Sequence, residues 1–154
     1  SNFSVGVNLF FELNKKLAFI IYIILDTVLV AIGMGVPILN IILGFPLGWY
    51  IAKRIYRSKR DLVENLGDIL IYSIYTSLAT FIWMIIIWGP ISTMLMNPNE
   101  DFVHFGIPMI LYDPKISFIG WIILIVFISP FLQLLTTVFT AHVTLWRSNI
   151  TIGE

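Results

Sequence analysis

Long apolar runs, separated by short polar or proline-containing stretches, dominate the chain. A bilayer-spanning helix needs about 20 mostly apolar residues. The run from Leu17 to Ala52 is therefore too long for one such helix and suitable for two. It should break at 33–37 (GMGVP), because glycine permits turn conformations and the residue before a proline disfavours the α region. The pattern predicts four spanning helices, which cover about 17–34, 37–52, 68–88 and 117–143.

The composition agrees with a membrane protein. Hydrophobic residues make up 58% of the 154 and charged residues only 12%, whereas a soluble domain has about 25% charged residues. We therefore expect an all-α integral membrane protein, with residues 1–154 forming a single four-helix transmembrane domain. The absence of cysteine excludes disulfides, thiolate metal sites and cysteine nucleophiles.

Lysine and arginine are distributed unevenly between the two sides that four helices would define. Eight of these cations fall on one side and only Lys115 falls on the other. Because cytoplasmic flanks are enriched in Lys and Arg, both termini are predicted to be cytoplasmic, with the helices paired as two antiparallel hairpins. The connector 53–67 is then cytoplasmic, and the long loop 89–116 is extracytoplasmic. Four prolines in this loop argue against regular helix there. A multi-pass protein of the plasma or inner membrane is expected.

The connector contains a compact basic cluster. Juxtamembrane cations attract anionic lipid headgroups, and so short a segment is not expected to bind nucleic acid. The residues predicted to contact headgroups are Lys53, Arg54, Arg57, Lys59 and Arg60.

Asp26 is the only charged residue near the centre of a predicted span. A central Asp costs about 2.5–3.5 kcal/mol on insertion scales, so it should face the protein interior or a water-filled cavity. If the first hairpin turns near Gly35, Asp26 and Gly44 lie at the same depth. Pro46 lacks an amide hydrogen and should leave the Ile42 carbonyl without its helical partner.

Oxygen donors at this depth predict a site for a small cation or a proton, since both prefer carboxylate, amide and carbonyl oxygens. The predicted ligands are Asp26, Asn40, the Ile42 carbonyl and Gln133. The alternative is a packing role, with a protonated Asp26 bonded locally to Asn40 or to a tyrosine. Small residues and prolines would then shape close helix contacts, and the candidates are Gly44, Gly48, Pro46 and Pro130.

Hydroxyl residues recur every three to four positions along the third and fourth predicted helices, which places each set on one helix face. They are Ser73, Thr76, Thr80, Ser129, Thr136 and Thr140. Such hydroxyls often bond their own backbone or join neighbouring helices. Two stripes facing Asp26 would nevertheless form a hydrated crevice.

Three functional classes agree with this sequence. The first is a channel- or carrier-like protein that binds or passes a small cation or proton, with Asp26 as the ligand or proton acceptor. The second is a non-catalytic accessory or scaffolding subunit that contacts other membrane proteins. The third is a lipid-acting enzyme that uses Glu100, Asp101 or His104. It is least favoured, because no catalytic, metal or cofactor motif is present. The expected partners are lipids and either copies of the chain or other membrane proteins.

Overall fold

The computed structural model describes residues 13–57, 62–102, 108 and 112–153, together with residues 2, 5, 6 and 9. Over the described part of the chain, four long helices form a bundle. The first three are α1 (Lys15–Ile32), α2 (Ile38–Arg57) and α3 (Leu62–Ser92), and a 3₁₀ turn over Thr93–Met96 follows α3. The fourth helix, α4, has three consecutive parts, an α-helical part Pro114–Ile123, a π-helical turn Leu124–Ile128 and an α-helical part Ser129–Gly153. The prediction of an all-helical bundle is confirmed for these residues.

Within the described ranges, three helices are long and apolar enough to cross a membrane. These stretches are Ile38–Tyr56, Val63–Met96 and Pro114–Ser148, and between 33% and 39% of each is buried within the chain. The remaining residues form an apolar outer surface, which suits contact with lipid. The 18-residue α1 is also apolar, but it includes Lys15, Lys16 and Asp26.

A tight turn over 33–37 joins α1 to α2. Gly35 has a φ of 84°, a left-handed conformation that costs glycine little. Its carbonyl accepts a hydrogen bond of 2.8 Å from the indole Nε1 of Trp88, which attaches the turn to α3. The turn is therefore held by its backbone conformation and by this hydrogen bond to α3.

Helices α3 and α4 extend further into the predicted connector and outer loop than the sequence indicated. The expectation that proline excludes regular helix throughout 89–116 was wrong at both ends of that loop. Pro90 lies inside α3, and Pro114 occupies the first turn of α4. Proline is tolerated in a first turn because the amide hydrogen there has no helical acceptor. The Asp113 carboxylate caps α4 by accepting from the Lys115 amide at 2.8 Å.

The bundle interior has two apolar clusters, one towards each end. One cluster contains Ile51, Ala52, Ile55, Ile69, Ala141 and Leu145, and the other contains Val30, Met84, Ile125 and Val126. Along α3, Ile69 and Met84 are separated by the buried Ser73, Thr76 and Thr80. The chain therefore places a layer of polar side chains between two apolar ones.

Candidate functional site

The polar layer receives one fully buried side chain from each of the four helices. Asp26 comes from α1, Asn40 from α2, Thr80 from α3 and Gln133 from α4, and each is 0% exposed. Buried polar groups are costly unless they are hydrogen-bonded. The contacts among these four side chains therefore decide what the layer can do.

Asp26 is bonded to two of these partners through one carboxyl oxygen. The Asn40 amide nitrogen donates to Asp26 Oδ1 at 2.5 Å and to the Asp26 backbone carbonyl at 3.1 Å. Thr80 Oγ1 lies 2.8 Å from the same Oδ1. The other carboxyl oxygen, Oδ2, and the Asn40 side-chain oxygen are buried with no hydrogen-bond partner among the described residues. One side of the carboxyl group is thus anchored, and the other retains accepting capacity.

A second set of short contacts connects Thr80 to Tyr22. Thr80 Oγ1 is 2.5 Å from Gln133 Oε1, and Gln133 Nε2 is 2.6 Å from the Tyr22 hydroxyl. The Tyr22 hydroxyl donates to the Thr76 carbonyl at 2.7 Å. It also lies 3.5 Å from Thr80 Oγ1 directly. Asp26, Thr80, Gln133 and Tyr22 therefore form one continuous hydrogen-bonded chain.

The number of protons available in this hydrogen-bonded chain of side chains limits which group can donate to which. Thr80 has a single hydroxyl proton but lies beside two acceptors, so it cannot donate to both. If Asp26 is protonated, it donates to Thr80, and Thr80 donates to Gln133. Gln133 then donates to Tyr22, and Tyr22 donates to the Thr76 carbonyl. All of these contacts are satisfied with a neutral carboxyl group.

A charged Asp26 requires the opposite direction. Thr80 then donates to Asp26, and the Gln133 amide must turn by 180° so that its nitrogen donates to Thr80. Tyr22 donates to the turned Gln133 oxygen. The contacts among Asp26, Thr80 and Gln133 can therefore be satisfied around either form of Asp26, with the Gln133 amide in opposite orientations. In the charged form the Tyr22 hydroxyl, which has a single proton, no longer donates to the Thr76 carbonyl.

Asp26 has no ion-pair partner in the part of the chain that the structure describes. A buried carboxylate without a counter-charge is unfavourable, because its own solvation is lost and no attraction replaces it. Neutral dipoles from Asn40 and Thr80 offset only part of this cost. A proton on Asp26 would remove this cost.

The sequence predicted that Gly44 lies at the same depth as Asp26, and this was wrong by about one helical turn. Asn40, rather than Gly44, lies opposite Asp26, because α1 already ends at Ile32 and the turn begins before Gly35. The side chain of Ile42 is 53% exposed, and the role expected for its backbone carbonyl stays a prediction.

Gly44 and Gly48 lie where α2 approaches α4 most closely. A Cβ at Gly44 would overlap the Thr136 hydroxyl, and it would lie 3.0 Å from the Gln133 carbonyl. A Cβ at Gly48 would overlap the Thr137 backbone carbonyl. Both glycines therefore contact another helix of the same chain, and they do not take part in the hydrogen-bonded chain.

Apart from Thr80, the predicted hydroxyl residues contact their own helix, a neighbouring helix or no described partner. Thr76 donates to the Ser73 carbonyl at 3.0 Å, and Thr136 bonds the carbonyls of Gln133 and Ile41. Thr140 is half-buried, and its hydroxyl has no partner among the described residues. Of the six predicted stripe residues, only Thr80 bonds the Asp26 carboxyl group.

The two predicted proline breaks have different surroundings. Pro130 follows the π-helical turn Leu124–Ile128, where the Ser129 hydroxyl donates to the Leu124 carbonyl at 2.9 Å. A π turn shifts the helix register by one residue, and Gln133 lies one turn after it. Pro46 lies inside α2, between Gly44 and Gly48.

The structure describes only part of the basic cluster. Arg54 donates to the Tyr50 hydroxyl at 3.1 Å and to the Leu13 carbonyl, and Lys53 is half-buried. The remaining predicted headgroup contacts lie outside the described residues; they are the side chain of Arg57 and all of Lys59 and Arg60. His104 also lies outside them. Glu100 accepts a hydrogen bond from Asn97 at 3.3 Å, far along the chain from the polar layer.

Tyr22 is the site residue that the sequence analysis did not single out. It lies four positions before Asp26 in α1, so both side chains share one helix face. That spacing could have identified it. Tyr22 and Thr76 also border a cavity of about 390 Å³ between α1, α2 and α3. One end of the hydrogen-bonded chain therefore lies at a cavity wall.

Comparisons of this chain with protein-family models, curated proteins and solved structures found no match. The geometry of the polar layer is therefore the basis for a functional proposal.

Proposed function

We propose that the protein is a channel- or carrier-like membrane protein in which Asp26 binds and releases a proton inside the helix bundle. The observation that supports this most strongly is a carboxyl group with 0% exposure and no cationic partner among the described residues. Binding a proton removes the cost of the buried charge. Releasing it leaves a site that attracts the next one.

The oxygen atoms around Asp26 suit a proton better than a metal cation. Calcium takes six to eight oxygen ligands, and magnesium requires near-octahedral geometry. At Asp26, one carboxyl oxygen and the Asn40 oxygen are not hydrogen-bonded, whereas Asp26 Oδ1 and the Thr80 hydroxyl are already engaged. A proton needs only one such oxygen.

The hydroxyl groups suggest a route for that proton. The Tyr22 hydroxyl oxygen lies 3.5 Å from Thr80 Oγ1, and Thr80 Oγ1 lies 2.8 Å from Asp26 Oδ1. Hydroxyl groups both donate and accept, so a proton can pass along them. Rotation of the Gln133 amide would then let its nitrogen donate to Thr80 while Thr80 donates to the charged Asp26. Tyr22 borders the cavity between α1, α2 and α3, so it is the end of this route that lies nearest to the surface of the bundle.

We also propose that all four helices span the membrane, with both termini in the cytoplasm. Although α1 carries charges, the short turn pairs it with α2, which is apolar enough to span. Its 18 residues extend over about 27 Å. This arrangement makes the protein multi-pass, in a plasma or inner membrane, with Asp26 near the bilayer centre. Four helices enclose little space, so copies of the chain are expected to associate.

In the accessory-subunit alternative, Gly44 and Gly48 would form a docking face for another membrane protein. Both glycines pack against α4 of the same chain. That face is already used internally, and proton binding is the proposal that we favour.

The test is proton flux into liposomes that contain the purified full-length chain and a trapped pH-sensitive dye. A potassium gradient with valinomycin supplies the driving potential. We expect flux above that of protein-free vesicles, and its loss in Asp26→Asn. Glu64→Gln is the matched control, since Glu64 is an exposed carboxylate outside the layer. A folded Asp26→Asn variant with wild-type flux, or a wild-type protein without flux, would contradict the proposal.

A further inference from the structure

A cavity of about 390 Å³ opens between the first half of α1 and the facing parts of α2 and α3. Its inner end is formed by Tyr22 and Thr76. Its outer end lies near Lys15 and Arg54, where α1 begins and α2 approaches its end. From Lys15 to Tyr22, α1 advances by about 10 Å. The cavity is therefore deep, and it runs along the helices.

The walls of this cavity are almost entirely carbon. Phe19 contributes from α1, Ile51 and Ile55 from α2, and the ring of Tyr75 from α3. Its volume falls within the range of about 300–1,000 Å³ that is usual for ligand pockets. A slender hydrocarbon chain fits such a lining, whereas a polar solute would lose hydration without gaining partners.

The charged groups of the cavity lie only at its outer end, and all are cationic. The lining includes Lys15, Lys16 and Arg54 and no acidic residue. The Lys15 ammonium group lies 5.5 Å from the centre of the Tyr72 ring, which keeps it at the opening. Arg54 is oriented by its bonds to Tyr50 and to the Leu13 carbonyl. Such an arrangement complements one negative charge at the head of an apolar chain.

We propose that this cavity binds the first half of one acyl chain of an anionic phospholipid, with the headgroup phosphate at Lys15, Lys16 and Arg54 and the middle of the acyl chain near Tyr22. The proposal concerns a specific lipid site and does not depend on proton transport. If both proposals hold, the lipid tail covers Tyr22, and lipid and proton access compete for the same space.

Photocrosslinking tests this site directly. The full-length chain is reconstituted in phosphatidylcholine vesicles with a trace of phosphatidylglycerol that carries a diazirine near the middle of one acyl chain. Phosphatidylcholine with the same labelled chain serves as the lipid control. Peptide mapping should place the phosphatidylglycerol label on cavity residues such as Phe19, Tyr22 and Tyr75. Labelling there should exceed that by phosphatidylcholine by about tenfold.

Two sets of variants separate the cavity from the general lipid surface. Ala18→Trp should fill the cavity and remove the label, while Ile24→Trp should not, because Ile24 is 58% exposed and does not line the cavity. Combined Lys15→Gln and Lys16→Gln should abolish the preference for phosphatidylglycerol. Equal labelling by both lipids, labelling unchanged in Ala18→Trp, or a crosslink to a second copy of the chain in place of lipid would overturn the proposal.

Discussion

The side-chain amide of Asn40 donates two hydrogen bonds to Asp26, one to the carboxyl oxygen at 2.5 Å and one to the backbone carbonyl at 3.1 Å. Both residues are fully buried. The two bonds join α1 to α2 and leave Asp26 Oδ1 facing Thr80 as well. Asn40 therefore orients the carboxyl group, in addition to stabilising the hairpin.

Replacing Asn40 by leucine should destabilise the protein by about 1–3 kcal/mol, because the buried Asp26 oxygen loses its donor. Replacing both residues, as Asp26→Leu with Asn40→Leu, should cost less than the sum of the two single changes. Equilibrium unfolding in mixed micelles, followed by the helical circular-dichroism signal, measures these differences. Strict additivity would show that the two side chains do not interact.

Removing the Thr80 hydroxyl should impair proton transfer while leaving the shape of the layer nearly unchanged. A positioned proton donor or acceptor contributes about 10²–10⁴-fold to a transfer step. We therefore expect Thr80→Val to slow flux in the liposome assay by about 10²-fold. Thr80 is the hydroxyl that contacts both Asp26 and Gln133.

The matched control for this change is Thr27→Val. Thr27 is half-buried in α1, and its hydroxyl bonds the Ile23 carbonyl of its own helix at 2.7 Å. The Thr27→Val variant should keep wild-type proton flux. Equal flux in the two valine variants would mean that protons reach Asp26 by another route.

The sequence was sufficient to predict most of the residues in the polar layer, but it did not show which of them lie opposite each other. Asp26 stood out because a charge in an apolar run must face the interior, and Gln133 and Thr80 followed from helical periodicity. The turn geometry could not be placed to within one helical turn, so Gly44 was expected where Asn40 lies. Tyr22 was missed, because a tyrosine in an apolar helix resembles an ordinary core residue. Its hydroxyl gains a role only from contacts with α3 and α4.

A side chain at Gly35 should strain the α1–α2 turn. Its φ of 84° costs an L-residue about 1–2 kcal/mol, and an added Cβ would also lie 3.4–3.6 Å from Ile87 and Trp88 atoms, which is ordinary contact. Gly35→Ala should therefore lower the unfolding free energy through backbone strain alone. The neighbouring Met34→Gly relieves a φ of 55° and serves as the opposite change. Destabilisation by both variants would argue against this account of the turn.

Gly44 and Gly48 both lie at the contact between α2 and α4, but replacement by alanine should destabilise the protein more at one of them than at the other. At Gly44, the atom nearest to an added Cβ is the Thr136 hydroxyl, the end of a side chain that can rotate. At Gly48 it is the Thr137 backbone carbonyl, which cannot move without its helix. Overpacking costs about 1–3 kcal/mol. We expect Gly48→Ala to lie at the upper end of that range and Gly44→Ala at the lower end.

A second substitution makes this comparison specific. Thr136→Ala should recover part of the stability lost in Gly44→Ala, because it removes the overlapping hydroxyl, and it should not rescue Gly48→Ala. Gly67→Ala is the control, since nothing lies within 4 Å of its added Cβ, and alanine should stabilise α3 there by about 0.5–1 kcal/mol. Unfolding in mixed micelles gives the unfolding free energies of all these single and combined variants. Equal losses at Gly44 and Gly48, with no rescue by Thr136→Ala, would mean that α2 and α4 separate freely rather than pack rigidly at this contact.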